Sequence, residues 1–221
     1  MDFNPPLIIT NFKTFQEGSG AQALELAKLH ERLAQELKVN LVVAGQALDV
    51  AMLATGVSLP VLAQHVDPVG YGAFTGHTSV DALKTHGVDG SLLNHSERRI
   101  SEEDIAGAIG KLKEFGMFSV VCAETVEEGM RFMKYGPDFI AIEPSELIGG
   151  DLSVSSARPE LISDAVKQIG RGRVLVGAGI KNGADVKRAM ELGASGILVA
   201  SGVVRAKDQM AALRDLCLAL Q

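Results

Sequence analysis

The run Leu92–Arg99, LLNHSERR, passes from an apolar pair straight into Asn94, His95, Ser96, Glu97, Arg98 and Arg99, with none of the alternation of an ordinary surface face. An imidazole, a carboxylate and two guanidinium groups this close together could move protons or hold an anion. The same run also fits a strand that ends and a solvated helix that begins. Its place in the fold decides between the two. Other short polar segments pose the same choice: Asn11 and Lys13 in TNFK, Gln64 and His65, Glu143 in IAIEP, the turn Gly177-Ala178-Gly179, and Ala200-Ser201-Gly202.

The elements that would carry these groups follow from periodicity. Short apolar runs alternate with longer amphipathic ones, the pattern of repeated βα units. Strands are predicted at Leu7–Asn11, Asn40–Ala44, Val61–Gln64, Gly90–Asn94, Phe118–Cys122, Phe139–Glu143, Val174–Gly177 and Gly196–Val199. Helical patterns follow them. In the first, Leu26, Leu29, Leu33 and Leu37 mark one face and Glu25, Lys28, Arg32 and Glu36 the other. Ser101 with Asp104 resembles a capping box, Thr125 precedes a helical run, Pro159 suits a first turn, and Asp208 begins the last helix. Eight units in 221 residues fit a compact parallel eight-stranded barrel wrapped in helices. Periodicity alone leaves an open doubly wound sheet possible. GAGIKNG at Gly177–Gly183 supports that alternative only weakly, because its spacing is wrong for a dinucleotide loop. In a barrel the site lies at the C-terminal ends of the strands, and every polar segment named above falls at such an end.

Composition narrows the partners. With 47% hydrophobic and 22% charged residues, the chain can bury a large core. A net charge of -6 and a pI near 5.4 argue against a nucleic-acid partner, which needs clustered Lys and Arg. The start, MDFNPPLIIT, lacks the basic n-region and apolar run of a signal peptide, and no stretch approaches membrane-spanning length. A soluble, cytoplasmic protein with no membrane partner is expected. Cys122 and Cys217 read as reduced packing thiols, since two distant cysteines make neither a disulfide framework nor a zinc set. No metal site and no cofactor is expected.

Taken in order, NFK, AQH, NHSERR, IEP with a glycine-bearing loop after it, GAG and VASG resemble the triosephosphate isomerase family in its shorter, archaeal type. The likeness covers nearly the whole chain. NHSERR together with the Glu-Pro pair is the specific part, because turns such as GAG or VASG occur in many phosphate-binding barrels. The resemblance implies a (β/α)8 TIM barrel as a single domain over residues 1–221, acting on small triose phosphates without a cofactor. It implies that Glu143 removes a proton next to the substrate carbonyl while neutral His95 polarises that carbonyl and shuttles protons. This carboxylate–imidazole pairing is the family's known arrangement and comes with the resemblance. Lys13 would set a fixed positive charge beside the enediolate and the phosphate. Asn11 would position Lys13 and a substrate oxygen, with Gln64 and Glu97 supporting them, although a local pair of Glu97 with Arg98 or Arg99 would look the same in sequence. Ser96 to Arg99 can begin a helical turn directly after His95, which would place the positive helix end against the ring and disfavour imidazolium. Phe12, Gly179, Ala200 and Ser201, with Ile148 and Gly149 from a lid at Pro144–Leu152, would complete the substrate and phosphate contacts.

The lid reads PSELIGGD where longer members carry an aromatic residue and a Gly-Thr-Gly end, so Asp151 has to point away from a phosphate. GAG stands where they have Gly-Gly-Ser. Another phosphosugar isomerase on the same scaffold, or a non-catalytic phosphosugar-binding barrel, would share the phosphate turns but would not require Lys13, His95 and Glu143 together. His30, His77 and His86 read as packing or surface residues. The segment Asp67–Thr78, DPVGYGAFTGHT, places Tyr71 and Phe74 among glycines with no helical period to bury them. By resemblance this finger docks on a second subunit, so a homo-oligomer is expected, a dimer at least. Gly107 and Gly110 on the fourth helix, with Met130 and Met133 on the next, extend the expectation to a tetramer.

Overall fold

The computed structural model describes residues 3–144 and 157–221. Eight strands form one closed parallel barrel: β1 (Leu7–Asn11), β2 (Asn40–Gly45), β3 (Val61–Ala63), β4 (Gly90–Leu93), β5 (Phe118–Ala123), β6 (Phe139–Ile142), β7 (Val174–Val176) and β8 (Gly196–Val199). Closure is direct. Leu7 stands opposite Asn40 on one side and Gly196 on the other, so β1 pairs with both β2 and β8. An open doubly wound sheet would leave two unpaired edges, and this sheet has none.

Strand periodicity sorts the core into two layers. Leu7 and Ile9, Val42 and Ala44, Phe139 and Ala141 belong to the cluster that fills the barrel. Ile8, Val43 and Ile140 face outward into the layer beneath the helices. Asn11 and Glu143 continue the inward register of Ile9 and Ala141, which puts them at the top of the barrel interior. Four polar or glycine residues expected to end strands, Gln64, Asn94, Glu143 and Gly177, lie just beyond β3, β4, β6 and β7. Asn94 shows why: its φ of 59 turns the chain out of the ladder.

The helices among the described residues are α1 (Ala21–Leu37), α2 (Val50–Gly56), α3 (Val80–Thr85), α4 (Glu102–Glu114), α5 (Val126–Met133), α6 (Pro159–Ile169), α7 (Gly183–Glu191), the short α8 (Ser201–Val204) and α9 (Gln209–Leu218). Their starts are chemically marked. Ser101, Thr125 and Asp208 each accept the backbone N–H three residues on, and Pro159 opens α6. The Ser101 motif differs from a full capping box, because the Asp104 carboxylate takes the Ser101 hydroxyl at 2.7 Å instead of reaching back to a backbone N–H.

Gly107 on α4 is packed against the chain's own finger. A Cβ there would lie 2.8 Å from Pro68 Cβ, so this glycine already accommodates the chain's own finger segment, whereas Gly110 faces open space. No described helix is long and apolar enough to cross a membrane.

Candidate active site

At the C-terminal rim a cavity of about 320 Å³ is lined by Asn11 at the end of β1 and Lys13 after it, His95 and Glu97 after β4, Glu143 after β6, Gly179 after β7, and Ala200 and Ser201 after β8. Segments as much as 190 residues apart in sequence thus share one cleft, because parallel closure sends all eight strand ends the same way.

Local bonds set each group. Lys13 has φ 49, and its backbone N–H is held by Asn11 Oδ1 at 2.9 Å. Gln64 Nε2 donates to the Lys13 carbonyl at 2.9 Å and to the Ala44 carbonyl at 3.3 Å, tying the first loop to the third. Lys13 Nζ meets Glu97 Oε1 at 2.7 Å. Glu97 therefore pairs across the rim with Lys13 and not with its neighbours. Arg99 instead joins Glu128 on α5, and Arg98 stands 4.0 Å from Asp67. The two arginines of the opening motif hold scaffold.

The segment after His95 is a single turn, not the start of a helix. Its closing bond runs from the Arg98 N–H to the His95 carbonyl at 2.7 Å, and α4 begins only at Glu102. In place of a helix dipole, one donor meets the ring: the Glu97 N–H points at His95 Nδ1 at 3.2 Å. A backbone N–H can only donate, so Nδ1 is the acceptor and the neutral ring carries its proton on Nε2. That Nε2 faces Glu143 Oε2 at 3.8 Å, too far for a hydrogen bond. Both residues are 7% exposed, and Glu143 Oε2 has no hydrogen-bond partner among the described residues. A buried carboxylate oxygen without a partner is costly, and the residue that carries it lines the cavity.

Two residues to which the sequence reading gives no part in setting the carboxylate, Gly177 and Cys122, shape Glu143. A Cβ on Gly177 would stand 2.3 Å from Glu143 Cγ, so the carboxylate arm occupies the room that glycine leaves. Cys122, at the top of the barrel core, lies beside it, and burial together with the Glu143 charge pushes its thiol well above the ordinary range. Cys122 is thus a packing thiol that also borders the site. Phe12 departs the other way. Its ring is wholly buried in the outer layer and its N–H goes to the Ala44 carbonyl at 2.9 Å, so it packs the wall and does not line the cavity. Ile148, Gly149 and Asp151, with most of the expected lid, lie outside the described residues. Among the described residues no cluster of His, Cys, Asp and Glu could hold a metal ion.

The family model for triosephosphate isomerase matches residues 6–217. This chain belongs to the triosephosphate isomerase family. Curated triosephosphate isomerases of archaea are similar to it over almost their full length. The Methanothermus fervidus protein is 46% identical over 215 residues, covering 96% of this chain and 97% of that one. The Archaeoglobus fulgidus protein is 45% identical over 214 residues, covering 95% and 96%. The Methanocaldococcus jannaschii protein is 43% identical over 214 residues, covering 95% and 98%. The cavity beside Glu143 and His95 continues to Gly179, Ala200 and Ser201.

Proposed function

We propose that this chain interconverts dihydroxyacetone phosphate and D-glyceraldehyde 3-phosphate as a single barrel domain in the cytoplasm, with Glu143, His95, Lys13 and Asn11 as its catalytic residues. Glu143 takes a proton from C1 of the ketone, and the C1–H electron pair moves to form the C1–C2 double bond of an enediolate. His95 Nε2–H donates to the carbonyl oxygen as it gains charge, then moves protons between the two oxygens. Glu143 returns its proton to C2, which gives the aldehyde. Lys13 supplies positive charge beside the enediolate, where exclusion of water strengthens it. Asn11 and Gln64 hold the Lys13 loop, Glu97 orients both Lys13 and His95, and the turns at Gly179 and Ala200-Ser201 receive the phosphate.

The observation that carries this reading is the buried, unpartnered Glu143 Oε2 across a 3.8 Å gap from the protonated nitrogen of His95. A base and an electrophile held apart, and not bonded to each other, leave both free for substrate. A coupled assay of the purified protein with dihydroxyacetone phosphate tests it. Glu143→Gln and His95→Gln should each lower kcat by at least about 100-fold, the scale of general acid–base catalysis, with far smaller changes in affinity for a substrate-like phosphate. Near-wild-type turnover in either variant would overturn the assignment.

The same proposal includes assembly as a homo-oligomer, at least a dimer, with a dimer of dimers as the larger form. Its support is the finger. The base is closed by Asp67 and Thr78 through bonds of 2.8 and 2.7 Å, while Tyr71 is 76% and Phe74 45% exposed near the tip.

A further inference from the structure

The phosphate end of the cavity has a cation that the reaction described above does not use. Arg205 lies one turn beyond Ser201, with its backbone N–H bonded to the Ser201 carbonyl at 3.1 Å, and its side chain lines the cavity. The guanidinium lies 5.5 Å from the centre of the Phe15 ring, a residue of the β1 loop that lines the same cavity. The two loops are pressed together beneath this contact. A Cβ on Gly18 would crowd Phe12 Cβ at 3.0 Å and Val204 Cγ1 at 3.2 Å, so the glycine lets the β1 loop sit against α8. Phe15 thereby becomes a fixed platform for the arginine.

Charge distinguishes Arg205 from its neighbours. Three cations line the cavity: Lys13, Lys181 and Arg205. Lys13 is paired with Glu97, and Lys181 holds its own contacts on the rim after β7. Arg205 has no carboxylate partner among the described residues. Its planar, weakly hydrated head is held on an aromatic face, which leaves its N–H fork open. In a chain of net charge -6, an uncompensated guanidinium at the mouth of an anion-accepting cleft creates a local field opposite to that of the molecule as a whole.

We propose that Arg205 is a specificity-determining residue, the cation that selects the phosphate dianion of the substrate and draws it toward the turns at Gly179 and Ala200-Ser201. Phe15 is its positioning residue. This rests on the isomerase reading of the site and adds a role that the reaction steps do not require. A backbone N–H cradle reads the shape of a phosphate, whereas Arg205 reads its charge.

The test compares the full-length wild type with Arg205→Gln, Arg205→Lys and Phe15→Leu. It reads kcat and KM for dihydroxyacetone phosphate at low and high ionic strength, and the competitive inhibition constant of inorganic phosphate. Arg205→Gln should lower kcat/KM and weaken phosphate inhibition by about tenfold at low salt, with most of the loss in KM, and the dependence on ionic strength should flatten. Arg205→Lys should recover most of the loss. Phe15→Leu should weaken phosphate by about threefold, since a cation–π contact at an exposed site is the smaller effect. Unchanged KM and phosphate inhibition in Arg205→Gln would overturn the proposal, as would an Arg205→Lys variant no better than Arg205→Gln, because charge would then not be the cause. A wild type without isomerase activity would instead remove the isomerase reading. Calorimetric titration of wild type and Arg205→Gln with inorganic phosphate would still decide the role of Arg205.

Discussion

Gly177 carries no side chain, and Glu143 fills the space. The 2.3 Å that would separate a Cβ there from Glu143 Cγ cannot be relieved by a flexible tip, because the clash is with the middle of the carboxylate arm. Gly177→Ala should therefore push Glu143 off its line to His95 and lower kcat by about 100-fold, the usual effect of a misplacement near 1 Å. Inhibition by inorganic phosphate should change less than kcat, since the backbone N–H groups proposed to hold phosphate, at Gly179 and Ala200-Ser201, do not depend on where the Glu143 carboxylate points. Steady-state kinetics separates the two effects, and a variant with wild-type kcat would show that Glu143 has other room. Backbone strain gathers in the same region. Of the four non-glycine residues with positive φ among the described residues, Lys13, Asn94 and Ala178 border the site, and Lys38 ends a helix elsewhere. Asn94 is held there by its own amide, which donates to the Cys122 carbonyl at 3.0 Å and accepts the Ile100 N–H at 3.1 Å. Such strain persists only where surrounding bonds enforce it.

Helix α1 is fastened to β1 by a histidine. His30 is wholly buried, and the Leu26 carbonyl at 2.8 Å from Nδ1 can only accept, so the ring proton is on Nδ1. Nε2 then takes the hydroxyl proton of Thr10, also at 2.8 Å. Burial pushes the His30 pKa from 6.5 down to about 4, with the Leu26 bond opposing the shift. The folded state thus binds a proton less readily than the unfolded chain. The contribution to stability is complete above pH 6.5 and is lost as pH falls toward 4, about 3 kcal/mol in all and about 2 kcal/mol by pH 5. Urea unfolding of the wild type at pH 7.5 and pH 5 should show this loss. His30→Gln should be less stable at pH 7.5 but lack this part of the pH dependence. If both proteins lose the same stability on acidification, carboxylates elsewhere account for the change.

Among the described residues, the most exposed aromatic side chains are Tyr71 and Phe74, both on the finger between β3 and α3. Tyr71 OH reaches Thr85 at 3.3 Å and the Phe74 ring lies 5.9 Å from that of His77, yet both aromatic side chains remain open to solvent. Beside its base a second cavity, about 290 Å³, opens among Asn11, Lys13, Gln64, His65, Thr78 and His95. A finger from another copy placed there would brace the Lys13 loop. Tyr71→Ser with Phe74→Ser should shift the protein to a monomer by light scattering at micromolar concentration, with activity lowered about tenfold or more as the rim loses that support. A double variant that keeps both its mass in solution and its activity would show that assembly does not run through the finger.

The order of strands, the caps of Ser101, Thr125 and Asp208, and the location of the polar segments at strand ends could be read from the chain, because each depends on residues close together in sequence. The inward turn of Asn11 and Glu143 followed as well, since strand alternation carries the register of Ile9 and Ala141 forward by two. Pairings between distant segments could not be read. Glu97 could have met Arg98 or Arg99 as readily as Lys13, and only the closed barrel brings the β1 and β4 loops within 2.7 Å. Phe12 lies between two site residues in sequence, yet alternation turns its ring to the outer layer. Gly177 reads as an ordinary turn residue until the side chain beside it is known. The replacement of a helix end by one N–H at His95 is likewise a matter of where the chain turns, which Asn94 sets through bonds to Cys122 and Ile100. Local chemistry determined which groups were available, and the closure of eight strands decided which of them could meet.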